Sequence, residues 1–244
     1  MPRAPRPLDL LRTIAALAAI VPGLAAGVAT LAWNRDRRRA INRAIEVWGD
    51  LGTRAAGVQL AVSGRGHLAL RPAVFVFNHQ SGADPFLLCA LLRRDFVGVA
   101  KAEIRKNPLL GPAFAFADSV FVDRADHQQA LRALEPAVAT LRRGLAILIA
   151  PEGSRSAGTD VGPFKKGAFR IAIAAGAPIV PIVLHDAHEL LPRNGWIMRA
   201  GTVHVSVLAP VATEDWLLDT LDAHVAQVRD SFVAALARGA ERVS

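Results

Sequence analysis

Short apolar segments alternate with longer amphipathic segments after about residue 43, and this alternation constrains the fold more than any other feature. The apolar segments predict strands at 73–77, 97–100, 119–122, 145–150, 179–184 and 202–209. The amphipathic segments between them predict helices at 85–94, 127–143, 164–175 and 214–238. Several strands are continuously apolar, which is typical of strands covered on both faces. The pattern therefore predicts an α/β domain with a mainly parallel sheet flanked by helices.

The N-terminal segment differs from this pattern, because residues 13–34 contain no charged side chain. As a helix, this run would be about 33 Å long, enough to cross the ~30 Å hydrocarbon core of a bilayer. Trp33 lies near its end and four arginines follow within 35–39, an arrangement typical of a helix end at lipid headgroups. We therefore predict a hydrophobic, basic membrane anchor at 1–43 and an α/β domain at 44–244.

Two other interpretations of the run are a cleaved signal peptide and a buried core helix. Its basic start fits a signal peptide, whereas its mild, Ala- and Gly-rich hydrophobicity fits a core helix. Pro22 and Gly23 lie in mid-run, where they either kink one spanning helix or separate two shorter helices within one leaflet. More arginines follow the run than precede it, which predicts a cytoplasmic location for the α/β domain. The preponderance of arginine over lysine is associated with a bacterial source, and hence with the bacterial inner membrane.

Charge and cysteine content exclude several classes of protein. Of the net charge of +8, residues 1–43 carry +6, so the remaining body is almost neutral. A nucleic-acid-binding domain would carry its basic residues on the folded body, so we predict lipid headgroups and no nucleic acid as partners. The single cysteine, Cys89, excludes an internal disulfide and a zinc site of several thiolates. Cys89 lies in an apolar segment and is predicted to be a core residue.

A polar cluster, Asn78–Asp84, directly follows the strand predicted at 73–77. His79 suits a general base because imidazole titrates near neutrality, and a carboxylate such as Asp84 would fix its tautomer. Positions five apart on a continuous helix do not meet, so the pair requires residues 79–83 to turn back onto a helix that begins at Pro85. Alternatively, Asp84 is only the N-cap of that helix and His79 is a polar loop residue.

A second polar cluster, Pro151–Ser156, follows the strand predicted at 145–150. Gly153 lets backbone N–H groups face an anion, and the planar guanidinium of Arg155 suits phosphate. Since ligands bind outside the carboxyl ends of parallel strands, we expect this cluster to converge with Asn78–Asp84 and with Arg124. The alternative is a surface turn with solvated charges. Lys165 and Lys166 either add positive charge to this site or face solvent.

No G-x-S-x-G or G-x-x-x-x-G-K-[ST] motif is present, so a serine hydrolase and a P-loop nucleotidase are unsupported. His185, Asp186 and His188 form a short cluster that lacks a matching partner set. We therefore predict no metal site.

Four blocks in order resemble the glycerolipid acyltransferase family, in particular its 1-acyl-sn-glycerol-3-phosphate acyltransferases. They are the N-H-x4-D block Asn78–Asp84, Phe121–Arg124, Pro151–Ser156 with Phe164–Gly167, and Ala177–Ile182. The resemblance spans residues 74–184. The chain departs from the family pattern at Gly82 and Ala83, where the family has a bulky pair, and at Ala150 and Ser154, where the family has Phe and Thr.

This resemblance implies transfer of a fatty acyl group from acyl-CoA or acyl-carrier protein to the sn-2 hydroxyl of lysophosphatidate, giving phosphatidate. It implies that His79 is the base and that Asp84 holds it, with no acyl-enzyme, no metal and no cofactor besides the acyl donor. It also implies that Pro181 helps to shape the acyl site. The residues it implies for phosphate binding are Lys101, Arg124, Glu152, Gly153, Ser154 and Arg155.

Other functions remain open. The same reaction is expected to suit glycerol 3-phosphate or another lysophospholipid as acceptor. From different classes, the alternatives are a lipid-phosphate-binding module without catalysis and a metal-dependent phosphohydrolase that uses His79, Asp84 and the 185–188 cluster.

Overall fold

The structure is a computed structural model that describes residues 6–123, 134–156, 160–192 and 194–240. By their contacts, the residues form two compact units. Unit 1 comprises Met1–Ala61, Gln80–Arg94 and Asp186–His204, and unit 2 comprises Val62–His79, Asp95–His185 and Val205–Ser244. The predicted boundary between residues 43 and 44 falls inside a helix, Arg37–Ala56, so as a functional division it stays a prediction.

Unit 1 begins with three helices: α1 (Pro7–Ala18), α2 (Ile20–Asn34) and α3 (Arg37–Ala56). Helix α1 ends at Ala18, four residues before Pro22, because proline has no N–H to donate to that carbonyl. Gly23 lies against α3, where a Cβ would come within 3.0 Å of Ala44 O and of the Trp48 side chain. Pro22 therefore interrupts the helix, and Gly23 lets α2 approach α3 closely.

The outer surface of α1 and α2 is apolar. By length and composition, Pro7–Asn34 is apolar enough to cross a membrane, and only 28% of its most apolar window is buried. Exposed side chains include Leu11, Ile14, Val28 and Trp33, the last with 89% of its surface accessible. This exposure does not fit the alternative of a buried core helix, and the apolar surface supports membrane association.

Unit 1 also contains helices α4 (Asp84–Leu92) and α8 (Ala187–Leu190). Gly49 of α3 packs against the backbone of Cys89 and Ala90, where a Cβ has no room. An ion pair of 2.8 Å between Arg93 and Asp50 joins the two helices at the end of α4. These contacts lie between Cys89 and Arg93, and they hold the helix that begins where the Asn78–Asp84 block ends.

Seven strands, counted over the described residues, form one sheet in the order β1-β7-β6-β2-β5-β3-β4. They are β1 (Val58–Ser63), β2 (Val74–Phe77), β3 (Phe96–Lys101), β4 (Val120–Val122), β5 (Ala146–Ile149), β6 (Ile179–Leu184) and β7 (Gly201–Val207). The pairs β2–β5, β2–β6, β3–β5 and β3–β4 are parallel, and β6–β7 is antiparallel. The mainly parallel α/β fold is confirmed, and β1 is a strand that the sequence did not predict.

The helices that accompany the sheet in unit 2 are α5 (Leu110–Phe116), α6 (Leu134–Arg142), α7 (Gly167–Ala175) and α9 (Leu221–Ala240). Short 3₁₀ helices span Arg65–Ala69 and Ala102–Lys106. Residues 127–133 of the predicted helix 127–143 lie outside the described residues, and the helix predicted from 214 begins at Leu221. Phe169 of α7 and Phe232 of α9 are fully buried, so these two helices close the core over the sheet.

Candidate active site

Asn78 extends the sheet by one side chain where β2 ends. Its Nδ2 donates a hydrogen bond of 2.8 Å to Leu184 O, and its Oδ1 accepts one of 2.8 Å from Leu184 N. The buried amide thus takes the place of backbone pairing and sets the point at which the chain leaves the sheet. The sequence placed Asn78 in a motif without a role, and the structure supplies one.

The backbone of His79 is held on both sides by the Pro151–Ser156 cluster. His79 N donates to Glu152 Oε1 at 2.9 Å, and His79 O accepts from Ser156 N at 2.8 Å and from Ser156 Oγ at 3.2 Å. The half-buried imidazole lies edge-on to the ring of Phe77, with 5.8 Å between ring centroids. His79 therefore lies in contact with the turn that follows β5, and the wider convergence with Arg124 stays a prediction.

Glu152 is buried, and its two oxygens accept hydrogen bonds from different backbone segments. Oε1 accepts from His79 N, and Oε2 accepts from Gly162 N at 3.0 Å. A carboxylate repels a phosphate, whereas it suits backbone N–H groups well. These contacts make Glu152 a residue that positions His79, and its implied contact with phosphate stays a prediction.

Residues 80–84 form a tight turn at the start of α4, and the contact between the side chains of His79 and Asp84 stays a prediction. Asp84 Oδ2 accepts from Gln80 N and from Ser81 N, both at 3.0 Å. Ser81 Oγ in turn donates to Leu191 O at 2.9 Å. Asp84 is the first residue of α4 rather than its N-cap, so the predicted cap position is wrong by one residue. Its carboxylate stabilises the turn before the helix because the N–H groups of that turn face it.

Gly153 and Lys165 meet at the turn that follows β5. Gly153 has a φ of +77°, in the left-handed region that favours glycine. A Cβ on Gly153 would lie 3.2 Å from Nζ of Lys165, and Lys165 N donates to Pro151 O at 2.8 Å. Lys166 instead forms an ion pair of 2.7 Å with Asp222 of α9. The sequence left it open whether each lysine adds charge to the site or faces solvent. In the structure, Lys165 lies beside Gly153, whereas Lys166 pairs with Asp222.

The remaining residues predicted to bind phosphate have different surroundings. Arg155 is half-buried and Ser154 is exposed, both in the turn after β5. Lys101 ends β3 at the same edge of the sheet, is exposed, and pairs with Glu103 at 2.7 Å. Arg124 lies outside the described residues.

Pro181 is buried in the middle of β6. It pairs in register with Val76 of β2, and its carbonyl accepts from Leu208 N at 2.9 Å. It lies within the sheet, and its implied contribution to an acyl site stays a prediction.

Cys89 is buried in α4, and burial raises the pKa of its thiol to about 12. A thiol is a poor nucleophile compared with a thiolate, so Cys89 does not suit an acyl-enzyme mechanism. Its predicted place in the core is confirmed.

The 185–188 cluster does not assemble a metal-ligand set. Asp186 lies 2.6 Å from the ring of His204, and His185 Nε2 lies 2.9 Å from Ser206 Oγ. Within the described ranges, no group of three or more His, Cys, Asp or Glu side chains has the geometry to hold a metal ion. The contacts of the described residues thus give the phosphohydrolase hypothesis no support.

The mainly parallel sheet brings His79 of the N-H-x4-D block into contact with Glu152 and Ser156, which follow β5. Comparison with known proteins agrees: the Acyltransferase family model matches residues 59–185, and the chain belongs to that family. The family resemblance drawn from the four sequence blocks is confirmed.

Named relatives share most of this chain. It is 31% identical over 210 residues to a 1-acyl-sn-glycerol-3-phosphate acyltransferase of Limnanthes alba, covering 86% of this chain and 74% of that protein. It is 31% identical over 183 residues to the protein of that name from Saccharomyces cerevisiae, covering 74% and 60%. The crystal structure of the 1-acyl-sn-glycerophosphate acyltransferase PlsC from Thermotoga maritima superposes with a TM-score of 0.77 at 26% identity, covering 93% of this chain and 94% of that one.

Proposed function

We propose that this acyltransferase moves a fatty acyl group from an acyl thioester to the sn-2 hydroxyl of lysophosphatidate, giving phosphatidate for phospholipid synthesis. The observation that carries this proposal is the hold of Glu152 and Ser156 on the backbone of His79. It supports the choice of His79 as the base and of the neighbouring turn, with Gly153 and Arg155, as the phosphate site. The names of the relatives, which include this acceptor, support the choice of substrate.

In the proposed mechanism, His79 accepts the proton of the sn-2 hydroxyl while Asp84 fixes its ring. The oxygen attacks the thioester carbonyl carbon, a C–O bond forms and the C–S bond breaks. The thiolate leaves with the electron pair and takes the proton from the imidazolium, so no acyl-enzyme forms. A positioned base contributes on the order of 10²–10⁴-fold to such a rate, and orientation of the acceptor supplies a further part.

Phosphate binding is proposed for Arg155, Gly153, Ser154, Lys101 and Arg124. A phosphate held at the turn after β5 would orient the glycerol backbone toward His79. His79 lies nearby because it follows Asn78 at the end of β2, the neighbouring strand. Pro181 is proposed to help shape the acyl site. The scheme needs no metal and no resident cofactor, and its acyl donor is acyl-CoA or acyl-carrier protein.

Membrane association suits this chemistry because the acceptor and the product are both lipids. We propose the inner membrane of a bacterium as the location, with the site on the cytoplasmic side, where acyl thioesters are made. The exposed apolar side chains of α1 and α2 support the association.

The test is acyl transfer from labelled acyl-CoA, and in parallel from acyl-carrier protein, to lysophosphatidate, glycerol 3-phosphate and lysophosphatidylcholine. We expect phosphatidate from the wild type and a loss of about 10²–10⁴-fold in His79→Ala. His67→Ala, which removes a half-buried imidazole elsewhere in unit 2, is the matched control and should retain activity. Activity only on another acceptor would overturn the substrate, and an active His79→Ala would overturn the base.

A further inference from the structure

Arg229 lies on α9, outside the four sequence blocks, yet it binds the loop that supports the proposed site. Its Nε donates to Gly162 O at 3.1 Å and its Nη2 donates to Val161 O at 2.8 Å. The guanidinium fork thus binds two successive carbonyls. A lysine has a single ammonium at this position and lacks the planar fork.

One peptide group connects Arg229 to Glu152. The carbonyl of Val161 accepts from Arg229, and the N–H of the same peptide group, on Gly162, donates to Glu152 Oε2 at 3.0 Å. A cation and a carboxylate therefore lie at opposite ends of one peptide dipole. Hydrogen bonds in such a chain polarise and strengthen one another.

The approach at this peptide group is close. A Cβ on Gly162 would lie 3.3 Å from Glu152 Oε2, so the backbone meets the carboxylate directly. The second oxygen of Glu152 accepts from His79 N. The chain of contacts therefore runs from α9 to the backbone of His79 through one peptide group and one carboxylate.

We propose that Arg229 is a positioning residue for His79, acting through the Val161–Gly162 peptide group and Glu152. It orients the loop at 161–162, which orients the Glu152 carboxylate, which fixes the backbone of His79. The inference rests on the proposed function for the role of His79 as the base. The C-terminal helix, which carries no family block, thereby contributes to the geometry of the site.

The first measurement needs no substrate: hydrogen exchange of the peptide that contains His79, in full-length wild type, Arg229→Met and Arg229→Lys. We expect faster exchange in Arg229→Met, because the His79 N–H loses a well-oriented acceptor, and a smaller increase in Arg229→Lys. Arg238→Met, an exposed arginine on the same helix, is the matched control and should leave the exchange unchanged. Unchanged exchange in Arg229→Met would overturn the inference.

The second measurement is a double-mutant cycle with Glu152→Gln, read as kcat and KM for each substrate. We expect Arg229→Met to lower kcat about tenfold in the wild-type background with KM within about twofold, but to change kcat less than about twofold in Glu152→Gln. Losses that multiply would overturn the inference, since a general structural defect acts independently of Glu152. If the wild type acylates a different acceptor, the proposed substrate is wrong, and the cycle is then measured with that acceptor. If it acylates none, the proposed function fails and the exchange result alone decides.

Discussion

The backbone N–H of His79 lies 2.9 Å from Oε1 of Glu152, across 73 residues of chain. This contact joins the ends of two parallel strands, β2 and β5, through a carboxylate that is almost fully buried. His79 and Glu152, which belong to separate sequence blocks, are therefore in direct contact. Glu152 contacts the backbone of the proposed base, and its implied contact with phosphate stays a prediction.

Glu152→Gln tests that role. The carboxylate accepts from two backbone N–H groups, whereas a glutamine must present its own N–H groups to one of them. Leaving a buried donor unsatisfied costs about 1–3 kcal/mol of free energy. If that cost displaces His79, we expect kcat to fall roughly 10- to 100-fold, with the KM for the acceptor little changed. Steady-state kinetics with lysophosphatidate decides. A rise confined to that KM would show instead that Glu152 contributes to acceptor binding.

Arg155→Ala tests the proposed phosphate site. The half-buried guanidinium lies two residues from Gly153, and loss of a charge-assisted contact weakens binding of the anion it holds. We expect the KM for lysophosphatidate to rise about tenfold or more, with a smaller change in the KM for the acyl donor. Arg142→Ala, an exposed arginine on α6, is the control. Equal effects on both substrates would contradict a phosphate role.

Lys165→Met and Lys166→Met form a matched pair. Lys165 reaches over Gly153, whereas Lys166 pairs with Asp222 on the surface. Since surface ion pairs contribute about 0–1 kcal/mol, we expect Lys166→Met to have near-wild-type kinetics. Lys165→Met is expected to raise the KM for lysophosphatidate and to weaken inhibition by inorganic phosphate. Identical kinetics for the two variants would place Lys165 outside the phosphate site.

Leu11→Glu combined with Ile14→Glu tests the membrane surface. Both side chains are exposed on α1, so charge there is expected to spare the fold while removing apolar area from the bilayer contact. We expect at least about tenfold weaker binding to vesicles that contain phosphatidylglycerol, measured by co-sedimentation at low and high salt. Leu217→Glu with Leu218→Glu changes two exposed leucines of unit 2 and is the control. Unchanged binding of the α1 variant in high salt would show that another surface binds the membrane.

The sequence alone determined the fold class and most of the sheet. Continuous apolar runs such as 145–150 and 179–184 read clearly as buried strands because burial on both faces leaves no polar positions. Strand β1 was missed because its alternating exposure at one end of the sheet gives a weak, short signal. The position of the helix break also differs from the position of Pro22 in the sequence. Pro22 leaves the carbonyl of Ala18 without its helical donor, and α1 ends at Ala18.

For the site, the sequence determined which residue types were available: an imidazole, carboxylates, and cations at strand ends. Only the tertiary structure decided which of them meet, because these contacts join segments that are distant in sequence. It turned Glu152 toward the N–H of His79 and placed Lys165 beside Gly153 but Lys166 beside Asp222. It also brought Arg229, from a helix without a motif, onto the loop at 161–162. Hydrogen-bond direction and side-chain reach are properties of three-dimensional packing, and residue order does not encode them locally.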